Sequence, residues 1–105
     1  MIELRQGDVC WVELEDAGRR PVLVVTRDSA IPVLTTVIVA PVTRTVRRIP
    51  TEIALGPSNG LRADCAAAFD NLRPIPKALL TSRAGALERE RMVEICDRIR
   101  ALVDC

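Results

Sequence analysis

A small, strongly bent antiparallel sheet or barrel followed by one helix is the fold class this sequence predicts. Three observations point to it. Short apolar runs are punctuated by Gly and Pro, no pair of runs leaves room for a βαβ crossover, and helical spacing of apolar residues is sustained only near the C-terminus. The 105 residues predict one domain spanning 1–105. Hydrophobic residues make up 49% of the chain, which excludes a disordered protein, and no apolar run is long enough to cross a membrane.

The first strand is Asp8-Val-Cys-Trp-Val-Glu-Leu14, partly alternating and opened by Gly7-Asp8. A turn over Asp16-Ala-Gly18 leads to Pro21-Val-Leu-Val-Val-Thr26, a continuous run of the kind found in a strand buried on both faces. Pro21 belongs at that strand's first position or at a bulge. Thr35-Thr-Val-Ile-Val-Ala40 predicts the third strand, which Pro41 should end or bulge. Thr51-Glu-Ile-Ala-Leu55 alternates as a fourth strand, and Gly56-Pro-Ser-Asn-Gly60 reads as a tight loop. Cys65-Ala-Ala-Ala-Phe69 is too short for a helix and is read as a strand. Pro74 and Pro76 break the next segment, with a turn of helix from Pro76 to Leu80 and a last strand within 82–87. Met92, Ile95, Cys96, Ile99, Leu102 and Val103 recur at three- and four-residue steps, predicting an amphipathic helix over about 88–103.

Composition excludes several chemistries. Histidine is absent, which removes His general acid–base catalysis, Ser-His-Asp arrangements and mixed Cys/His zinc sites. Cys10, Cys65, Cys96 and Cys105 form no paired knuckle, so neither a disulfide framework nor a metal site is expected. No cofactor is expected. Met1-Ile-Glu-Leu-Arg5 lacks the apolar stretch of a signal peptide, which predicts a cytoplasmic protein.

The net charge of +1 hides an uneven distribution. Residues 1–18 hold one arginine against five acids, whereas 19–73 hold eight arginines against four acids. Arginine suits bidentate phosphate or carboxylate contacts, and a solvated basic face is the alternative reading. Trp11 and Phe69 are the only aromatics, so stacking platforms for single-stranded bases are not expected, and any nucleic acid must be held by phosphate contacts and hydrogen bonds.

Gly7-Asp8-Val9, Arg19-Arg-Pro-Val-Leu-Val-Val25, Val37-Ile-Val-Ala-Pro-Val-Thr43 and Pro50-Thr-Glu-Ile-Ala-Leu55, in this order and spacing, resemble the MazF/PemK/Kid family of toxin ribonucleases. Leu61-Arg-Ala-Asp-Cys65 through Phe69-Asp-Asn-Leu-Arg73 looks like the same family's later segment, so the resemblance covers nearly the whole chain. It implies an SH3-like small β-barrel (MazF/CcdB-like) with a short helix and the C-terminal helix. It also implies a two-fold homodimer, metal-independent cleavage of single-stranded RNA to 2′,3′-cyclic phosphate and 5′-hydroxyl ends, and a cognate antitoxin that blocks the RNA groove. A non-catalytic barrel acting on a protein, such as a DNA topoisomerase, is the alternative.

Carried onto this chain, the resemblance implies Arg20, Thr43 and Asp70 as catalytic residues. Arg20 can donate two parallel hydrogen bonds to phosphate oxygens whose charge grows in the transition state, and Thr43 can position the phosphate or relay a proton. Asp70 could orient an arginine or accept the 2′-hydroxyl proton, or simply form a turn. Arg19, Arg44, Arg47, Arg48, Asn71 and Arg73 are the implied RNA-binding residues, with no metal. The loop at Glu15-Asp-Ala-Gly18 is shorter than the family's usual gate loop.

Overall fold

In the computed structural model, residues 2–15 and 18–104 are described. Seven antiparallel strands curl into an open half-barrel with one C-terminal helix. The strands are β1 (Asp8–Leu14), β2 (Gly18–Val24), β3 (Thr36–Thr43), β4 (Glu52–Leu55), β5 (Cys65–Ala68), β6 (Arg73–Pro76) and β7 (Leu80–Ala86), and the helix is α1 (Val93–Val103). Their order is β4-β5-β3-β2-β1-β7, with β6 also on β3. The path ends at β4 and β7, so ladder hydrogen bonds do not close it into a ring.

The apolar run in β2 is buried on both faces, as its sequence predicts. Val22 and Val24 join Cys10, Val12, Val37, Val39, Ile75 and Leu80 in one core. Leu23, and Val25 just past the strand, join Val9, Ile53, Leu55, Phe69 and the helix residue Ile95 in the other. Register shifts on β1 between Val9 and Cys10 and between Trp11 and Val12 break its ladder with β7; bulges of this kind sharpen the local twist.

Several boundaries differ from the sequence-based expectations. Pro21 is not the first residue of its strand: β2 begins at Gly18, and Pro21 pairs with Trp11 in mid-strand. The β2–β3 ladder starts only at Val22↔Pro41, so the missing N–H of Pro21 lies beyond that ladder's end. Pro41 does end the β2 ladder, yet β3 runs on and pairs Val42 and Thr43 with β5. β6 falls in the segment that Pro74 and Pro76 were expected to break. It pairs with β3 alone, and an edge strand has ladder sites that need no donor. The fifth strand stops at Ala68, where Phe69–Asn71 forms a 3-10 turn. The last strand begins at Leu80, two residues before its expected start. The helical region opens with a 3-10 turn at Arg89–Arg91, so α1 itself starts at Val93.

Among the described residues, buried polar side-chain atoms have hydrogen-bond partners. The Asp8 carboxylate accepts from the Arg5 N–H at 2.9 Å and from Arg83 Nε at 3.1 Å. Burial, with Asp8 nearby, pushes the Cys10 thiol up to about 12, making it a core residue without nucleophilic character. Among the described residues the cysteines are free thiols, and no helix is long and apolar enough to cross a membrane. Met1, Cys105 and the Asp16-Ala17 part of the shortened loop lie outside the described residues.

Candidate functional site

Two prolines stand at the end of the β2–β3 ladder, beside a basic cleft. Neither can donate an N–H across the gap, and beyond Val22↔Pro41 the strands part, β2 continuing along β1 and β3 along β5. The space between them holds about 910 Å³. Arg19, Arg20 and Pro21 line it from β2, and Val42, Thr43, Arg44 and Thr45 from β3 and its exit. Gly60, Leu61, Arg62 and Ala63 line it from the loop before β5, and Trp11 and Cys65 complete the lining.

Four arginines therefore share a cleft whose described lining contains no carboxylate. The guanidinium groups of Arg20, Arg44 and Arg62 make no hydrogen bond or ion pair within the described residues. Arg19 is held in place: its Nη2 donates to Ser82 Oγ at 3.1 Å, and its guanidinium lies 4.6 Å from the centre of the Trp11 ring. Trp11 supplies one aromatic surface in the cleft, and Arg19 covers it.

Thr43 ends β3 with its Oγ1 accepting from the Thr45 N–H at 3.0 Å. That bond fixes the oxygen and leaves the hydroxyl's own proton for another acceptor. Such an arrangement can hold a tetrahedral or pentavalent phosphorus between guanidinium forks and a hydroxyl.

The remaining sequence-derived residues lie elsewhere. Asp70 and Asn71 sit in the 3-10 turn after β5, where Thr51 Oγ1 donates to Asp70 Oδ2 at 2.5 Å. Arg73 starts β6 opposite Val39, and none of the three lines the Arg20–Thr43 cleft. The basic connector splits. Arg44 faces the cleft, whereas Arg47 and Arg48 donate their backbone N–H groups to Glu52 Oε1 at 2.9 and 3.1 Å. Arg47 also places its guanidinium 3.8 Å from the buried Glu52 carboxylate. Arg48 takes a left-handed backbone, with φ of 56°.

Arg62 is the cleft residue that sequence reasoning missed. Its signal was a lone cation in the loop after Asn59-Gly60, indistinguishable from a solvated side chain until the loop is folded against the cleft. Among the described residues no cluster of His, Cys, Asp or Glu could hold a metal ion.

A curled half-barrel whose arginine cleft has no carboxylate in its described lining defines a small β protein with a site chemically suited to an anion. The chain belongs to the PemK-like, MazF-like toxin family of type II toxin–antitoxin systems, whose profile matches residues 5–103. It is 40% identical over 101 residues to the probable endoribonuclease MazF5 of Mycobacterium tuberculosis, covering 95% of this chain and 93% of that protein. The probable endoribonuclease MazF2 of the same organism is 34% identical over 103 residues, covering 97% and 100%. Among solved structures, M. tuberculosis toxin MazF-mt6 superposes with a TM-score of 0.84 at 33% identity, over 92% of this chain and 96% of that one. A mycobacterial endoribonuclease in complex with its cognate antitoxin gives a TM-score of 0.83 at 25% identity, over 97% and 96%.

Proposed function

We propose that the protein is a toxin endoribonuclease that cuts single-stranded RNA through attack of a 2′-hydroxyl on the adjacent phosphorus. The observation that carries this reading is the cleft itself, which gathers the guanidinium groups of Arg20, Arg44 and Arg62 and the Thr43 hydroxyl with no acid in its described lining. The names of the relatives support the same class of reaction.

In this reaction the 2′-oxygen loses its proton and bonds to phosphorus, the P–O5′ bond breaks, and O5′ takes up a proton. The products are a 2′,3′-cyclic phosphate upstream and a 5′-hydroxyl downstream. Arg20 acts on the pentavalent intermediate, donating to the oxygens where negative charge accumulates. Thr43 holds the scissile phosphate by its hydroxyl proton, and Arg44 and Arg19 track flanking phosphates. The described lining has neither histidine nor carboxylate, and in this reading stabilisation of charge carries more of the catalysis than a positioned base. No metal enters the reading. Asp70 retains a role only where the RNA runs past the 69–71 turn, together with Asn71 and Arg73.

An acidic antitoxin arm fits the same cleft by imitating phosphates, and its association should weaken with salt. A homodimer fits the apolar groove between β3 and the helix, where Leu34 and Ile38 face Ile95 and Ile99. Sedimentation should then give about 23 kDa, twice the 11.5 kDa chain.

Incubation of the purified protein with mixed single-stranded transcripts in excess EDTA, followed by mapping of the new ends, tests the reaction. Cyclic phosphate and 5′-hydroxyl ends are expected. A single 2′-deoxy substitution before the cut should abolish cleavage at that site; continued cutting there would rule out internal attack.

A further inference from the structure

The turn after β4 bridges the opening that ladder hydrogen bonds leave between β4 and β7. Its residues 59 and 60 pass against Ala84 and Gly85 of β7, with no room for a side chain on either glycine. A Cβ on Gly60 would stand 2.1 Å from the Ala84 carbonyl oxygen, and one on Gly85 would stand 2.3 Å from the Asn59 carbonyl oxygen. Gly60 also has φ of +87°, a conformation glycine adopts without penalty.

Asn59 locks this crossing. Its side chain is 1% exposed and fully used. Oδ1 accepts from the Gly56 N–H at 3.0 Å, closing the turn on itself. Nδ2 donates to the Ala86 carbonyl at 2.9 Å and to Glu88 Oε1 at 2.8 Å, tying the turn to the end of β7 and to the approach to α1. Ser58 Oγ donates to the other Glu88 oxygen at 3.2 Å. The chain that leaves this lock, Gly60 to Ala63, is the loop wall of the basic cleft, and Arg62 is its one charged group.

We propose that Arg62 is a further phosphate-contacting residue of the cleft and that Asn59, clasped to Ala86 and Glu88, is the positioning residue that holds it there. The inference rests on the reading of the cleft as an RNA site. A guanidinium on a free loop loses conformational freedom when it grips a phosphate; one on a loop already pinned at Asn59 and Gly60 has lost much of it beforehand. Asn59 carries no charge, so its effect on binding a polyanion passes through the cation it places.

The test measures binding of a fluorescein-labelled, random-sequence single-stranded DNA oligomer, which has phosphodiesters but no 2′-hydroxyl to attack, across a range of salt. Arg62→Gln should flatten the slope of log affinity against log salt by about 0.7, the value of one phosphate contact on a single strand. Asn59→Ala removes no charge yet should flatten the slope by at least about half of that amount, and Arg62→Gln should then add only the remainder. Glu88→Ala should act in the same direction, although losing an acid by itself favours a polyanion. Glu88→Gln, which keeps an acceptor for Asn59 Nδ2, should restore the wild-type slope.

A folded Arg62→Gln protein with the wild-type slope would remove Arg62 from the site. Loss at Arg62 with wild-type slopes in folded Asn59→Ala and Glu88→Ala would remove the positioning role. If Asn59→Ala does not fold, the Glu88 pair decides. A wild-type protein that neither binds the oligomer nor cuts RNA would instead overturn the RNA reading, and the inference with it.

Discussion

Two groups of arginines in this molecule share a residue type and almost nothing else. In the cleft, Arg20, Arg44 and Arg62 meet no carboxylate among the described residues. On the helix side, Arg91 donates to Glu94 Oε2 at 2.7 Å, to Glu88 Oε1 at 3.2 Å and to the Ala54 carbonyl at 2.7 Å. Arg98 donates to the Glu52 carbonyl at 2.8 Å and lies 3.5 Å from Glu94. The hydrogen bond to Glu94 raises the Arg91 pKa further, a sign of a cation fully engaged within the fold. A basic composition therefore says little about binding until its internal partners are known. The helix-side arginines tie the helical region to β4, whereas Arg20, Arg44 and Arg62 donate to no partner among the described residues.

The largest expected effect separates the two groups. Arg20→Ala should slow RNA cleavage by roughly 10²- to 10³-fold, or about 2.7–4 kcal/mol of barrier, with little change in melting temperature. Near-wild-type cleavage would place Arg20 with the solvated cations. Thr43→Val keeps the shape and deletes the hydroxyl; a loss of roughly tenfold or more in kcat is expected, corresponding to one hydrogen bond to a charged group. Unchanged kcat would reduce Thr43 to its bond with the Thr45 N–H.

Arg91→Ala should do the reverse of Arg20→Ala. Denaturant unfolding should show a loss of about 1–2 kcal/mol, because the Ala54 carbonyl and two carboxylates lose a shared donor, while cleavage by the folded fraction persists. The smallest effect concerns acid. Hydrogen bonds, first that from Asn59, hold the Glu88 carboxyl down at about 2 against an ordinary 4.5. Its contribution to stability is complete above the ordinary value and fades as pH falls from about 4.5 toward 2. Melting temperature followed over that window should fall less steeply in Glu88→Gln than in wild type.

How far the site could be read in the sequence depends on how locally each residue is placed. Arg20-Pro21 and Pro41-Val42-Thr43 are readable because these contiguous segments carry the family resemblance, and in the fold both line one cleft. Arg44 follows directly from Thr43. Arg62 was not readable, because its position depends on Asn59 reaching residues 27 and 29 places further along the chain. The division of the basic connector was hidden as well: Glu52, in the next strand, takes the Arg47 and Arg48 N–H groups and leaves Arg44 to the cleft. β6 was lost for a related reason, since Pro74 and Pro76 forbid a central strand and only the sheet order shows that this one needs a single partner.

By itself the sequence determined what depends on pattern and on residue chemistry. The double-sided burial of β2, the amphipathic terminal helix, the mainly β class and the absence of histidine all follow from side-chain period and composition. Tertiary structure alone decided which arginines are spent on internal partners and which remain open. A charge pair or a buried amide bond is set by distances between segments remote in sequence, and residue spacing along the chain carries no record of those distances. Asn59 shows this most plainly: an ordinary turn residue by sequence, it becomes in the folded chain the side chain that fastens one edge of the half-barrel to the other.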